Sequence, residues 1–199
     1  TPIQQKFFGE HPDDPPWFNH ALLLHAPNGF REEAARKVFE VFWEHHDALR
    51  ARYRKDGSRW IQKISEAEGE SWFEMVDLRE SQNPHEDLCH RATAIQKSFD
   101  LATGPLIKAS LFKTRDGDRL LVGVHHLVID GVSWRILLED FSLGYRQVLR
   151  GKQIQFDEKT TSFKRWAEEI VRYSKSDMLL KEKDYWAGLD TVSVRPLLF

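Results

Sequence analysis

A chain of 199 residues with 41% hydrophobic content can bury a sizeable core, and its length permits one large domain or two small ones. Twenty-nine Lys and Arg against thirty-one Asp and Glu leave a formal charge of -2, so no net positive field recommends nucleic acid or an acidic membrane as a partner. Cys89 has no second cysteine to pair with, and no stretch reads as a signal peptide or a membrane span, so a reducing, cytoplasmic setting is expected.

In chain order, residues 18–25 (FNHALLLH) form a short apolar run between Pro15-Pro16 and Pro27-Asn28-Gly29, which predicts a strand. From 30 to about 52, Phe30, Ala34, Val38, Val41, Phe42, Ala48 and Leu49 recur at helical spacing and predict an amphipathic helix. Asp56-Gly57 within 52–64 predicts a β-hairpin, and Pro84 suits the first turn of a helix over 84–98. Strands at 107–113 and 120–127 flank Asp116-Gly117-Asp118 as a second hairpin, whose outgoing strand ends in His125-His126. After Asp130-Gly131 a helix is expected to run to Gly151, and two further amphipathic segments lie near 162–174 and 178–189. Strands and helices interleave without strict βαβ spacing, repeats or long linkers, so a single α/β domain with a mixed sheet and flanking helices is expected over residues 1–199. The aromatic residues read as core and interface packing rather than base stacking.

The chemistry concentrates in His125-His126-x-x-x-Asp130-Gly131. Successive side chains on a strand point to opposite faces, so only one of the two histidines can project into a given cleft. His126 lies where strand gives way to loop, and His125 is expected to support it from the other face. Histidine suits proton transfer because its ordinary pKa of about 6.5 leaves it neutral yet readily protonated. Asp130 can orient a histidine, pair with an arginine or cap the following helix, and a structural role is preferred. Gly131 is expected to allow a turn closed to other residues, and Ser133 offers an alternative cap. The candidate catalytic set is thus His126, His125 and Asp130, with Gly131, Ser133 and Trp134 as structural members of the motif. No metal is expected, since the histidines diverge and the chain has neither a cysteine cluster nor a His-Glu-x-x-His helix. His45-His46-Asp47 repeats the theme on a heavily charged helix and reads as a solvated helix end.

The run His125-His126-Leu127-Val128-Ile129-Asp130-Gly131-Val132-Ser133-Trp134-Arg135-Ile136-Leu137 resembles the signature of the condensation and epimerization domains of non-ribosomal peptide synthetases, and Val132 to Leu137, Trp134 above all, resembles the epimerization branch. Thr1-Pro2-Ile3-Gln4-Gln5, Phe18-Asn19-His20, His46-Asp47-Ala48-Leu49-Arg50, Phe99-Asp100-Leu101, Lys159 to Lys164 and Tyr185-Trp186 extend the likeness over nearly the whole chain. The resemblance implies a chloramphenicol acetyltransferase-like fold of two lobes with the active site between them, of which this chain supplies the amino-terminal one. It implies epimerization of an L-aminoacyl or peptidyl thioester by α-carbon proton transfer, with His126 at the proton and Asp130 holding the loop. The substrate is expected on the phosphopantetheine arm of a peptidyl carrier protein, with no cofactor bound directly. The C-terminal lobe, carrying a second acid-base group in a Glu-Gly-His-Gly-Arg motif without counterpart here, is the other expected partner, and the isolated lobe is expected to be inactive. The alternatives are a condensation domain forming peptide bonds and a non-catalytic carrier-protein docking lobe.

Overall fold

A computed structural model describes residues 1–10, 18–66 and 72–189. The chain divides into two compact units, Gln4–Lys159 and a second made of Thr160–Phe199 with Thr1–Ile3. In chain order the elements up to residue 159 are α1 (Pro2–Glu10), β1 (Asn19–Ala26), α2 (Glu32–His45), β2 (Ala51–Asp56), β3 (Arg59–Ile64), β4 (Trp72–Asp77), α3 (Pro84–Lys97), β5 (Ile107–Lys113), β6 (Asp118–His125) and α4 (Gly131–Leu149).

Four strands form a mixed sheet in the order β1-β6-β5-β4, with β4 parallel to β5 and the other pairs antiparallel, while β2 and β3 form a separate hairpin. The central strand β6 is buried on both faces, which is why it reads as an unbroken apolar run rather than an alternating one. Leu120, Val122 and Val124 meet Ala109 and Leu111 of β5 in one core with Val38, Phe39 and Phe42 of α2 and Trp134, Leu137 and Phe141 of α4. Leu121 joins Phe112 on the other side in a smaller core with Leu88 and Ile95 of α3. The strand period of two thus sends alternate residues of β6 to different helices.

Three features depart from the sequence reading. The helix expected over 30–52 stops at His45 and is followed by a single 3₁₀ turn, Asp47–Arg50, that leads directly into β2. The last carbonyls of a helix need donors, and the Arg50 guanidinium folds back to donate to those of Trp43 and Glu44 and to Ser65. Helical periodicity runs on through Ala48 and Leu49 although the helix does not. The elements α1 and β4 were not foreseen; β4 is short, and its pairing with β5 comes from residues far along the chain.

The second unit holds α5 (Phe163–Tyr173), α6 (Asp177–Leu180) and α7 (Lys183–Leu189). The helix expected over 178–189 is therefore two short ones, with Ser176 capping the first by accepting from the Leu179 N–H at 3.3 Å. Among the described residues no helix is long and apolar enough to cross a membrane.

Candidate active site

The site grows out of the β1–β6 register. Asn19 lies opposite His125 and His20 opposite Val124, and the His126 N–H donates to the Phe18 carbonyl at 2.8 Å, one step past the end of β6. Residues two apart share a face, so Phe18, His20 and His126 fall on the face of Val124 and α4, while His125 falls on the other.

The two adjacent histidines meet different fates. His125 is 1% exposed and is approached by the rings of Phe7, Phe18 and Phe99 at centroid distances of 6.1, 6.1 and 6.2 Å. Its Nδ1 accepts from the Leu127 N–H at 3.2 Å, and its buried Nε2 has no hydrogen-bond partner among the described residues. Burial, aided by the neighbouring His126, pushes its pKa down to about 4, so the ring is neutral at neutral pH. His126 is only partly buried. Its Nδ1 lies 2.7 Å from the Ile129 carbonyl, an acceptor only, so in the neutral ring Nδ1 carries the proton and Nε2 carries the lone pair. No hydrogen-bond partner of that Nε2 occurs among the described residues. The ring rests against Phe18, centroids 4.9 Å apart and planes 22° off parallel, and against His20 at 3.9 Å and 41°.

Of the three roles left open for Asp130, the structure displays capping. Its Oδ1 accepts from the Ser133 N–H and the Ser133 hydroxyl, both at 2.7 Å, at the start of α4. These bonds, the hydroxyl's first, hold the carboxyl below the usual carboxylate range. Ser133 is therefore the capped residue, not an alternative cap. Gly131 also corrects its expectation: it is not among the positive-φ glycines, it opens α4, and a Cβ there would meet open space. The turn is made by the Asp130 cap and needs no left-handed residue. Trp134, 8% exposed in the first turn of α4, donates its indole N–H to His20 Nδ1 at 3.3 Å.

His20 is the site residue the sequence reading passed over. The signal was present, because an alternating strand places it beside Phe18 on one face, but only the register says that this face is the one His126 uses.

His45-His46-Asp47 is not the solvated helix end expected. The side chain of His46 is 20% exposed, with Nε2 2.9 Å from Oδ2 of Asp140 on α4, itself 17% exposed. Phe42 and Phe156 flank its ring, and burial holds its pKa below the ordinary value. His45, His46 and Asp140 each bring one ligand-type atom within 4.8 Å of the others, although the Lys159 ammonium opposes further positive charge there.

The fold agrees with comparisons to known proteins. The condensation domain family model matches residues 1–193, and the chain belongs to that family. Among curated relatives, surfactin synthase subunit 2 of Bacillus subtilis (strain 168) is 43% identical over 201 residues, covering 99% of this chain and 6% of its own length. Bacitracin synthase 3 of Bacillus licheniformis is 40% identical over 188 residues, covering 94% of this chain and 3% of its own. The chain is thus similar to a small part of very long non-ribosomal peptide synthetases. A crystal structure of the epimerization domain from the third module of tyrocidine synthetase B superposes with a TM-score of 0.94 at 42% identity, over 100% of this chain and 44% of that one. The starter condensation domain of rhizomide synthetase shares the fold, with a TM-score of 0.82 at 17% identity over 98% of this chain and 48% of its own.

Proposed function

We propose that this chain is the histidine-bearing half of an epimerization domain, converting an L-aminoacyl or peptidyl thioester on a carrier protein's phosphopantetheine arm to its D form. One contrast carries the reading: likeness to an epimerization domain is 42% identity along the whole chain, whereas the starter condensation domain shares the fold at 17%. The chain spans less than half of either solved domain, so the active species is the two-lobed protein, acting in the cytoplasm with its carrier.

His126 supplies the chemistry at this end. In the neutral form the ring carries its lone pair on Nε2, beside a strand-to-helix turn, and that atom takes the substrate's α-proton as the Cα–H bond breaks. The released electron pair moves onto the thioester oxygen, where donors must receive it. Inversion requires that the proton return to the opposite face, a task for an acid-base group in the other lobe. His125 and Asp130 shape the turn from behind: one accepts the Leu127 N–H, the other caps α4. Gly131, Ser133 and Trp134 belong to the same scaffold.

The test is α-deuterium uptake in heavy water by a carrier-bound aminoacyl group presented to the two-lobed protein. Uptake without an acceptor supports epimerization. Product formed only when an acceptor amine is added indicates a condensation domain instead, and activity indifferent to His126→Ala indicates a docking lobe.

A further inference from the structure

We propose that His20 is a positioning residue for His126, locked in one tautomer by the Trp134 indole and packed so that the His126 ring keeps its orientation. The inference rests on the epimerization reading for its activity arm, but not for its spectroscopic arm.

The terminal torsion of histidine has broad wells, so a ring held by a single hydrogen bond can turn over and exchange Nδ1 for Cδ2. At His126 that bond is the one from Nδ1 to the Ile129 carbonyl. Turning the ring would break it and exchange Nε2 for Cε1 at the position Nε2 now holds. What resists turning is contact on the ring itself, from Phe18 at 4.9 Å and, closer, from His20 at 3.9 Å. His20 is in turn not free to choose its state. Trp134 Nε1–H can only donate, so the His20 Nδ1 it reaches at 3.3 Å must be the unprotonated nitrogen, leaving the proton on Nε2. Burial first, and then the neighbouring His126, hold His20 below its ordinary pKa, which favours a neutral ring against His126. The indole that fixes His20 sits in the first turn of α4, whose cap is Asp130, and its backbone N–H donates to the Asp130 carbonyl at 3.1 Å. The turn and the partner strand are therefore joined through Trp134 and His20, and a displaced ring would lose the near-attack placement on which proton transfer depends.

The experiment compares wild type, His20→Gln, His20→Ala and Trp134→Phe. Long-range nitrogen-15 correlation spectra of the labelled chain read each imidazole's tautomer directly. Wild type is expected to show His126 as Nδ1–H and His20 as Nε2–H. His20→Ala is expected to leave His126 a mixture of tautomers, whereas His20→Gln, whose amide oxygen can still accept from the indole, restores one. Trp134→Phe is expected to mix the tautomers of His20. In the two-lobed protein His20→Ala is expected to lower kcat for deuterium uptake about tenfold to a hundredfold with KM unchanged, and His20→Gln to recover most of it. A His126 tautomer unchanged by His20→Ala overturns the proposal whatever the activity. Absence of uptake by wild type, with the tautomer pattern as expected, sinks the epimerization reading and leaves the positioning role standing.

Discussion

The chain contains two His-His pairs followed by an aspartate, and they behave in opposite ways because one stands at the end of a strand and the other at the end of a helix. At β6 the pleat splits the pair: His125 is driven to 1% exposure while His126 stays only partly buried. At the end of α2 the pair is not split in this way: both rings pack against Phe156, at 5.2 and 6.3 Å, and the second, which caps the helix, meets Asp140. The following aspartates differ as well, since Asp130 caps α4 whereas Asp47 opens a 3₁₀ turn. The same letters thus leave one histidine of the pair partly open beside a capped turn in one place and make an interhelical tie in the other. Chemistry depends on which neighbour is hidden.

The sharpest way to break this contrast is His126→Ala in the two-lobed protein, expected to reduce α-deuterium uptake about a hundredfold to ten-thousandfold, while His46→Ala leaves uptake within a few-fold of wild type. Equal losses would erase the distinction between the pairs.

The next effect is a dependence of stability on pH that originates at His125. Its unfolded imidazole takes up a proton near 6.5, whereas the folded one resists until about 4, so the unfolded state binds more protons in between. Stability is then full above about 6.5 and declines as pH falls through that window, by about 3 kcal/mol over its whole width. Denaturant midpoints measured across the window are expected to fall with pH for the wild type and to flatten in His125→Asn.

Removing the carboxylate from the helical pair strands a mostly buried imidazole. Asp140→Ala is accordingly expected to lower unfolding free energy by about 2 kcal/mol, read by chemical denaturation, without altering the kcat for uptake. The smallest effect concerns the other aspartate: Asp130→Ala loses the α4 cap and about 1 kcal/mol, and Asp130→Asn, which can still accept from the Ser133 N–H, is expected to retain most of it. A larger loss from Asp130 than from Asp140 would reverse the assignment of cap and tie.

Much of the fold was legible because its signals are local. The Asp56-Gly57 and Asp116-Gly117 turns marked the hairpins, and the stripe from Ala34 to Phe42 marked α2. Its end was misread because Ala48 and Leu49 continue the helical spacing, and what stops the helix is a guanidinium from residue 50 reaching backward. Strand β4 gave no turn signal of its own and exists by pairing with β5, more than thirty residues onward in the register Trp72 opposite Lys108.

What the amino-acid order determined alone was which groups exist and how neighbours diverge: a histidine pair at a strand end, an aspartate placed to cap, a family signature behind them. That His20 stands against the less buried member of the pair and is itself reached by the Trp134 indole was decided by the β1–β6 register and by the seating of α4 on the sheet. Those are contacts between residues separated by 106 to 114 positions. Local periodicity says which face a side chain takes, but only the packed chain says what waits on that face.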